Sequence, residues 1–303
     1  MADIYQTVTD RIVAQIEQGA GAWQMPWHCR TAAAGETLAA PRNVTGRFYR
    51  GVNVPVLWAT AQAFGYTSPI WATYKQWSER GCQVRKGEKA TMIVFWKSLA
   101  VKSRNSDDAG DDDDATATRL VARGYFVFNA AQVDGFDGAV PAPAGSPEDL
   151  DETLRIGQAD GFFRAVGAIV RHGGNRAFYT PGGDFIQMPA FAQFKSPHGY
   201  YATLAHEHVH WTGAKGRLDR EFGQRFGDRA YAFEELVAEL GAAFLCAMLG
   251  LANEPRPDHA AYIASWLEVL KSDKRAIFTA ASKAQAAADH LASLAATPQL
   301  AAA

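Results

Sequence analysis

The densest chemistry in the chain lies in Leu204-Ala-His206-Glu207-His208-Val209-His210-Trp-Thr-Gly213. Residues four apart sit one above the other on an α-helix, so His206 and His210 present two imidazoles to a single tetrahedral ion such as zinc. Glu207 then projects near the open coordination position, where a carboxylate takes a proton from water during hydrolysis. Such a site needs a third protein ligand, and Phe233-Glu234-Glu235-Leu-Val-Ala-Glu239 supplies carboxylates downstream. Glu235 and Glu239 are one helical turn apart and share a face, whereas Glu234 points about 100° away on an ideal helix.

Two known arrangements compete for this pattern. The first resembles the gluzincins, in which a glutamate on a later helix ligates the ion and an acid four residues on orients a ligand histidine; the resemblance makes Glu235 the ligand and Glu239 its support. The second resembles the metzincins, since His210-Trp-Thr-Gly213 continues HExxH as that motif does. The third metzincin ligand falls three residues after the glycine, where this chain has Gly216, with Asp219 three further on. That departure favours the gluzincin reading and keeps Asp219 as the lesser candidate. His208 faces away from the other two histidines and is expected to be structural.

A second constellation lies in the first hundred residues. Six of the eight tryptophans fall there, among them Trp23, Trp58, Trp71 and Trp96, and between Arg42 and Arg104 eleven Lys and Arg face only Glu79 and Glu88. Rings mixed with cations suit single-stranded nucleic acid, whose bases stack on aromatic faces while Lys and Arg follow the phosphates. About half of these rings are expected in the core instead. Asn43-Val-Thr-Gly-Arg47-Phe-Tyr49-Arg-Gly51 is a turn-rich segment offering Arg47 and Tyr49, and Gln83-Val-Arg85-Lys86-Gly87-Glu-Lys89 gathers three cations round a glycine as a phosphate cradle. Neither GxxxxGK[ST] nor GxGxxG occurs, so nucleotide hydrolysis is not expected, and a primase or nuclease would need an acidic metal cluster that is missing.

These groups need elements to hold them. With 303 residues, 48% apolar, the chain can bury one substantial core or two modest ones. Spacing predicts helices over Ile4 to Gln18, Pro55 to Phe64 and Tyr74 to Arg80, and a hairpin of Ala90 to Trp96 with Leu120 to Phe128. Its tip, 103–118, carries six aspartates without EF-hand spacing and is expected to be a mobile acidic insert. Gly138 to Pro147 is rich in Pro, Gly and Ala and reads as a linker, dividing residues 1–138 from 149–303 with 139–148 between. After it come a helix over Asp149 to His172 and short strands in Ala177 to Met188, the last of them read as the edge strand that pairs with an extended substrate. Helices follow over Tyr200 to Thr212, Phe233 to Leu249, His259 to Leu270 and Lys271 to Leu294. The expected fold class is α+β: a small α+β module, then a mainly helical one with a small sheet. Three scattered cysteines exclude a disulfide framework, and no apolar run is long enough for a membrane span, so a cytoplasmic protein without membrane contact is expected.

Trp23-Gln-Met-Pro26-Trp27, Pro41-Arg-Asn43-Val-Thr-Gly46-Arg-Phe-Tyr49-Arg-Gly51-Val-Asn53, Trp71-Ala-Thr-Tyr-Lys75-Gln76 and Gly81 to Lys89 resemble the N-terminal domain of ArdC antirestriction proteins, which is similar in turn to the N-terminal region of TraC-type conjugative primases. His206 to Gly213 with Glu234 to Glu239 resembles the zincin-like metallopeptidase domain that follows it in that family. The resemblance implies a protein that binds single-stranded DNA and protects incoming plasmid DNA from host restriction during conjugation. It implies a DNA face including Arg47, Tyr49, Trp71, Lys75, Arg85, Lys86 and Lys89, and a zinc centre, or another divalent ion, on His206, His210 and Glu235 with Glu207 catalytic. A host protein is then the natural substrate of the peptidase. The alternative is a DNA-coating protein whose zinc site is structural.

Overall fold

The computed structural model describes residues 3–20, 25–28, 39–102, 116–138, 140, 150–222, 228–253 and 259–296. Trp23, Cys29, nearly all of the acidic insert and of the linker, and the alanine-rich tail lie outside the described residues.

The fold is α+β. Helix α1 (Ile4–Ala20) buries Val8, Ile12, Val13 and Ile16, the stripe its spacing predicts. Strand β1 (Arg42–Asn43) leads to α2 (Asn53–Phe64), which stops at Gly65 in the left-handed conformation, φ 69°. Strand β2 (Ile70–Ala72) runs into α3 (Tyr74–Glu79), started by a Thr73–Gln76 capping box. After β3 (Gln83–Val84), strands β4 (Thr91–Lys102) and β5 (Thr116–Asn129) form the hairpin, longer than its apolar core suggests. The main sheet has the order β1-β2-β5-β4, and β3 pairs with β6 (Val133–Asp134) beside it.

Helix α4 (Glu152–Val166) is capped by Asp151 and ends at Gly167, φ 79°, so the helix expected to reach His172 ends a turn and a half early. Its last predicted residues instead form β7 (Ile169–His172), because a left-handed glycine closes the helix and Ile-Val that follow favour extended backbone. With β8 (Phe178–Thr180) and β9 (Phe185–Met188) it makes a sheet of order β7-β9-β8. The strand expected at the edge, β9, is therefore central, hydrogen-bonded on both sides, and has no edge left for a substrate.

Four helices complete the chain: α5 (Pro197–Thr212), α6 (Arg229–Leu249), α7 (His259–Ser272) and α8 (Ala276–Ala296). Residues expected to open the last helix at Lys271 instead finish α7 and turn at Asp273-Lys-Arg275. The largest buried cluster draws Ile12, Ile16, Trp27 and Trp58 from the first half and Leu236, Leu240, Trp266 and Ile277 from the second. Thr9 Oγ1 donates to the Lys274 carbonyl at 2.8 Å, and Asn253 Nδ2 to the Trp27 carbonyl at 2.9 Å. The core thus crosses the point where the charge balance of the sequence changes.

Candidate metal centre and nucleic-acid face

Helix α5 starts where Ser196 accepts a hydrogen bond from Gly199 N at 2.9 Å and Pro197 occupies the first turn, which fixes the phase of every histidine after it. Helix α6 lies against α5 at Gly241, where a Cβ would stand 2.7 Å from Val209 Cγ2. Only glycine allows that approach, and it brings the carboxylates of α6 to the imidazoles of α5. His206 Nε2 and His210 Nε2 are 3.0 Å apart, and Glu235 lies 3.5 Å from the first and 3.4 Å from the second. Among the described residues this is the one cluster of three ligand-type groups whose atoms all fall within 4.8 Å of one another.

The other ring nitrogens decide what the cluster suits. His206 Nδ1 faces Glu239 Oε1 at 3.0 Å and His210 Nδ1 faces Glu234 Oε1 at 3.3 Å. Carboxylates accept and do not donate, so both Nδ1 atoms carry the proton and both Nε2 lone pairs converge with the Glu235 oxygens on one point. That arrangement is repulsive unless a cation sits between them. Burial alone would lower the His210 pKa, yet Glu235 and then Glu234 outweigh it and lift it to about 10, so the cation these groups call for can also be a proton on His210 Nε2, which a divalent ion would displace. Burial would likewise raise the Glu235 carboxyl, and His210 and His206 instead hold it well below its usual range. The residues present fit a divalent ion.

Support around the cluster is fuller than the sequence suggested. Glu234, the weaker ligand candidate, is not among the converging groups; it orients His210 and is gripped by Arg220, with Nη2 at 2.8 Å and Nε at 3.0 Å. Arg220 also donates to Thr212 Oγ1 at 2.8 Å and to the Val209 carbonyl at 2.6 Å. A Cβ at Gly213 would stand 2.9 Å from Arg220 Nη2 and 2.6 Å from Phe222 Cζ, so the glycine of HExxHxxG makes room for this arginine. Asp219 is not a member of the cluster. It occupies a tight turn at φ 45° that swings Arg220 inward, which removes the metzincin alternative. Sequence spacing gave no sign of Arg220, since its partners come from two helices.

Glu207 is buried beside this cluster. Tyr231, one turn before Glu235 on α6, has its phenol raised by burial first and by the Glu235 carboxylate second, and its hydroxyl meets that of Tyr262 at 3.2 Å. His28 reaches in from the first half: its Nδ1 accepts from Met25 N at 3.1 Å, and its Nε2 lies 3.8 Å from Glu239. His208 is structural as expected. It is fully buried against Phe163, donates from Nδ1 to the Leu204 carbonyl at 2.8 Å, and burial pushes its pKa down to about 4. His198, Tyr200 and Tyr201, which precede the motif on α5, are all buried.

The residues expected on the nucleic-acid face fare differently. Arg47, Lys75, Lys86 and Lys89 are exposed. Arg85 is exposed but engaged, with its guanidinium on Glu88 at 3.0 Å, Asp134 at 3.6 Å and the Ala131 carbonyl. Tyr49 is half-buried and spends its hydroxyl on the Trp71 carbonyl at 3.1 Å. Trp71 is 1% exposed, so its ring cannot lie against a base. Its place on the central strand β2 sends it into the core. Trp27, Trp58 and Trp77 are buried too, leaving Trp96 as the exposed tryptophan among the described residues of this half.

Residues 2–128 match the family model of the N-terminal domain of the anti-restriction factor ArdC, and residues 157–283 match that of a zincin-like metallopeptidase. The crystal structure of the antirestriction protein ArdC from plasmid R388, in its metal-free form, is 45% identical and superposes with a TM-score of 0.77 over 97% of this chain and 98% of that one. The chain belongs to the ArdC antirestriction family. The Mn(II)-bound structure of the same ArdC protein is 44% identical with a TM-score of 0.76, over 98% of this chain and 100% of that one. Protein y4eC of Sinorhizobium fredii is 50% identical over 95% of this chain and 91% of its own length. A DNA primase TraC of Escherichia coli is 37% identical over 93% of this chain, which spans only 26% of the primase. No helix among the described residues is long and apolar enough to cross a membrane.

Proposed function

We propose that this ArdC family member is a cytoplasmic protein that binds single-stranded DNA through residues 1–138 and carries a zinc peptidase centre in residues 149–303, and that it protects plasmid DNA entering by conjugation from host restriction. The observation that carries the hydrolase half is the gathering of His206, His210 and Glu235 ligand atoms within 4.8 Å of one another. Three protein ligands are what a catalytic zinc site supplies, where a structural site would supply four. The Mn(II)-bound relative supports a divalent ion in the same fold. His206, His210 and Glu235 would hold the ion, which would supply a Lewis acid for a carbonyl. Glu239 and Glu234 fix the two rings and keep their protons on Nδ1. The Glu207 carboxylate takes a proton from the attacking water and returns it to the departing amine nitrogen. A host protein is the proposed substrate. Exposed Arg47, Lys75, Lys86 and Lys89 support the DNA-binding half through contact with phosphates.

Glu207→Gln tests the reading. It should leave one zinc per chain, measured by elemental analysis, and abolish both cleavage in a peptide-library screen and protection of DNA in a mating assay. Full protection by the variant would leave the structural-site alternative standing.

A further inference from the structure

Two exposed rings on the β4–β5 hairpin have no part in the site described above. In the hairpin register Phe95 lies opposite Arg123, Ile93 opposite Tyr125 and Lys97 opposite Val121. Alternate residues share a sheet face, so Phe95, Lys97, Arg123 and Tyr125 point the same way. The inner end of that face is anchored, because Ile93 and Val127 are buried with Leu57 and Trp71. Its outer end is open: Phe95 is 62% exposed and Tyr125 44%, their ring centroids 5.9 Å apart at 76°. Tyr66, stacked on exposed Phe64 at 5.6 Å and 17°, packs on the same small cluster. Strands β4 and β5, 12 and 14 residues long, include Lys97, Lys102, Arg119 and Arg123 and no aspartate or glutamate.

We propose that this hairpin face is the base-stacking platform for single-stranded DNA, with bases on Phe95 and Tyr125 and phosphates on Lys97 and Arg123. The inference rests on the single-strand reading above and relocates its aromatic part, since Trp71 is in the core. Rings standing on a flat sheet need base faces, which a duplex hides and a single strand offers. Rings alternating with cations on two strands without an aspartate or glutamate favour a polyanion over a protein partner.

The test uses the full-length protein and a fluorescent oligothymidylate of about 20 nucleotides. Phe95→Ala with Tyr125→Ala should weaken binding at least about tenfold at fixed salt, with zinc content and thermal unfolding unchanged, and Phe95→Trp should retain it. Lys97→Ala with Arg123→Ala should reduce the slope of log affinity against log salt by about 1.4. In the unaltered protein, ultraviolet crosslinking to iododeoxyuridine-substituted strand should map to Phe95 or Tyr125, a readout independent of whether the variants fold. Affinity of the double ring variant within about twofold of the parent, with the parent binding tightly, overturns the platform alone. So does a crosslink elsewhere, or a fall from dimer to monomer in light scattering on removing the rings. A parent protein that ignores the oligonucleotide overturns the single-strand reading itself.

Discussion

The surroundings of His206 and those of Arg47 differ in how far each side chain is held by its neighbours. Around His206, the Nδ1 atom of each cluster histidine faces a carboxylate, and Glu234 is gripped in turn by Arg220. Arg47, Lys86 and Lys89 project from loops into solvent, and Lys75, 85% exposed, meets Glu79 at 3.6 Å, one turn along α3. A divalent ion demands fixed distances of about 2 Å, so its site is built before it arrives. A flexible strand brings its own shape, so a face for it needs charge and accessible rings but little fixed geometry.

That contrast can be broken in four ways. Arg220→Ala would leave Glu234 buried without its guanidinium, and thermal or urea unfolding should show a loss of about 3 to 5 kcal/mol. A loss under about 1 kcal/mol would mean that the centre tolerates an unpaired acid and is looser than drawn. His208 gives the next effect. The unfolded chain protonates it below its ordinary pKa of 6.5, whereas the folded chain resists until about 4, so the unfolded state gains as pH falls between those values. The parent protein should lose about 3 kcal/mol more than His208→Leu over that window, and parallel curves would contradict its burial as a neutral ring.

Glu239→Ala should weaken metal affinity about 10- to 100-fold in competition with a chromogenic chelator, the ligand atoms themselves being untouched. Unchanged affinity would show that His206 needs no orienting partner. The smallest effect belongs to the other region: Lys75→Ala should lower the salt slope of single-strand binding by about 0.7 and leave stability within about 0.5 kcal/mol. A large stability loss there would show that the exposed face is as tightly built as the metal centre.

Much of the centre was legible because its parts are local. HExxH and the Glu235–Glu239 pair each lie within one or two turns of a helix, and helical geometry fixes which side chains share a face. Arg220 was not legible, because what makes it matter is Glu234 and Thr212 arriving from two helices, and Gly213 looked like a motif letter when it is the space the guanidinium occupies. The nucleic-acid half was read less well. Composition counted rings and cations correctly but could not sort Trp71, on a central strand, from Phe95, on the outer end of a hairpin.

Most of the helices, the β4–β5 hairpin, the α+β class and the pair of converging histidines followed from periodicity and spacing, which depend on neighbours along the chain, and the choice of Glu235 from the gluzincin resemblance. What only the folded molecule decided was which residues meet across it: the approach of α5 and α6 over Gly241, the reach of His28 to Glu239, the central position of β9 and the burial of Trp71. Side-chain period is a property of a segment, whereas burial and pairing depend on every other segment that packs against it.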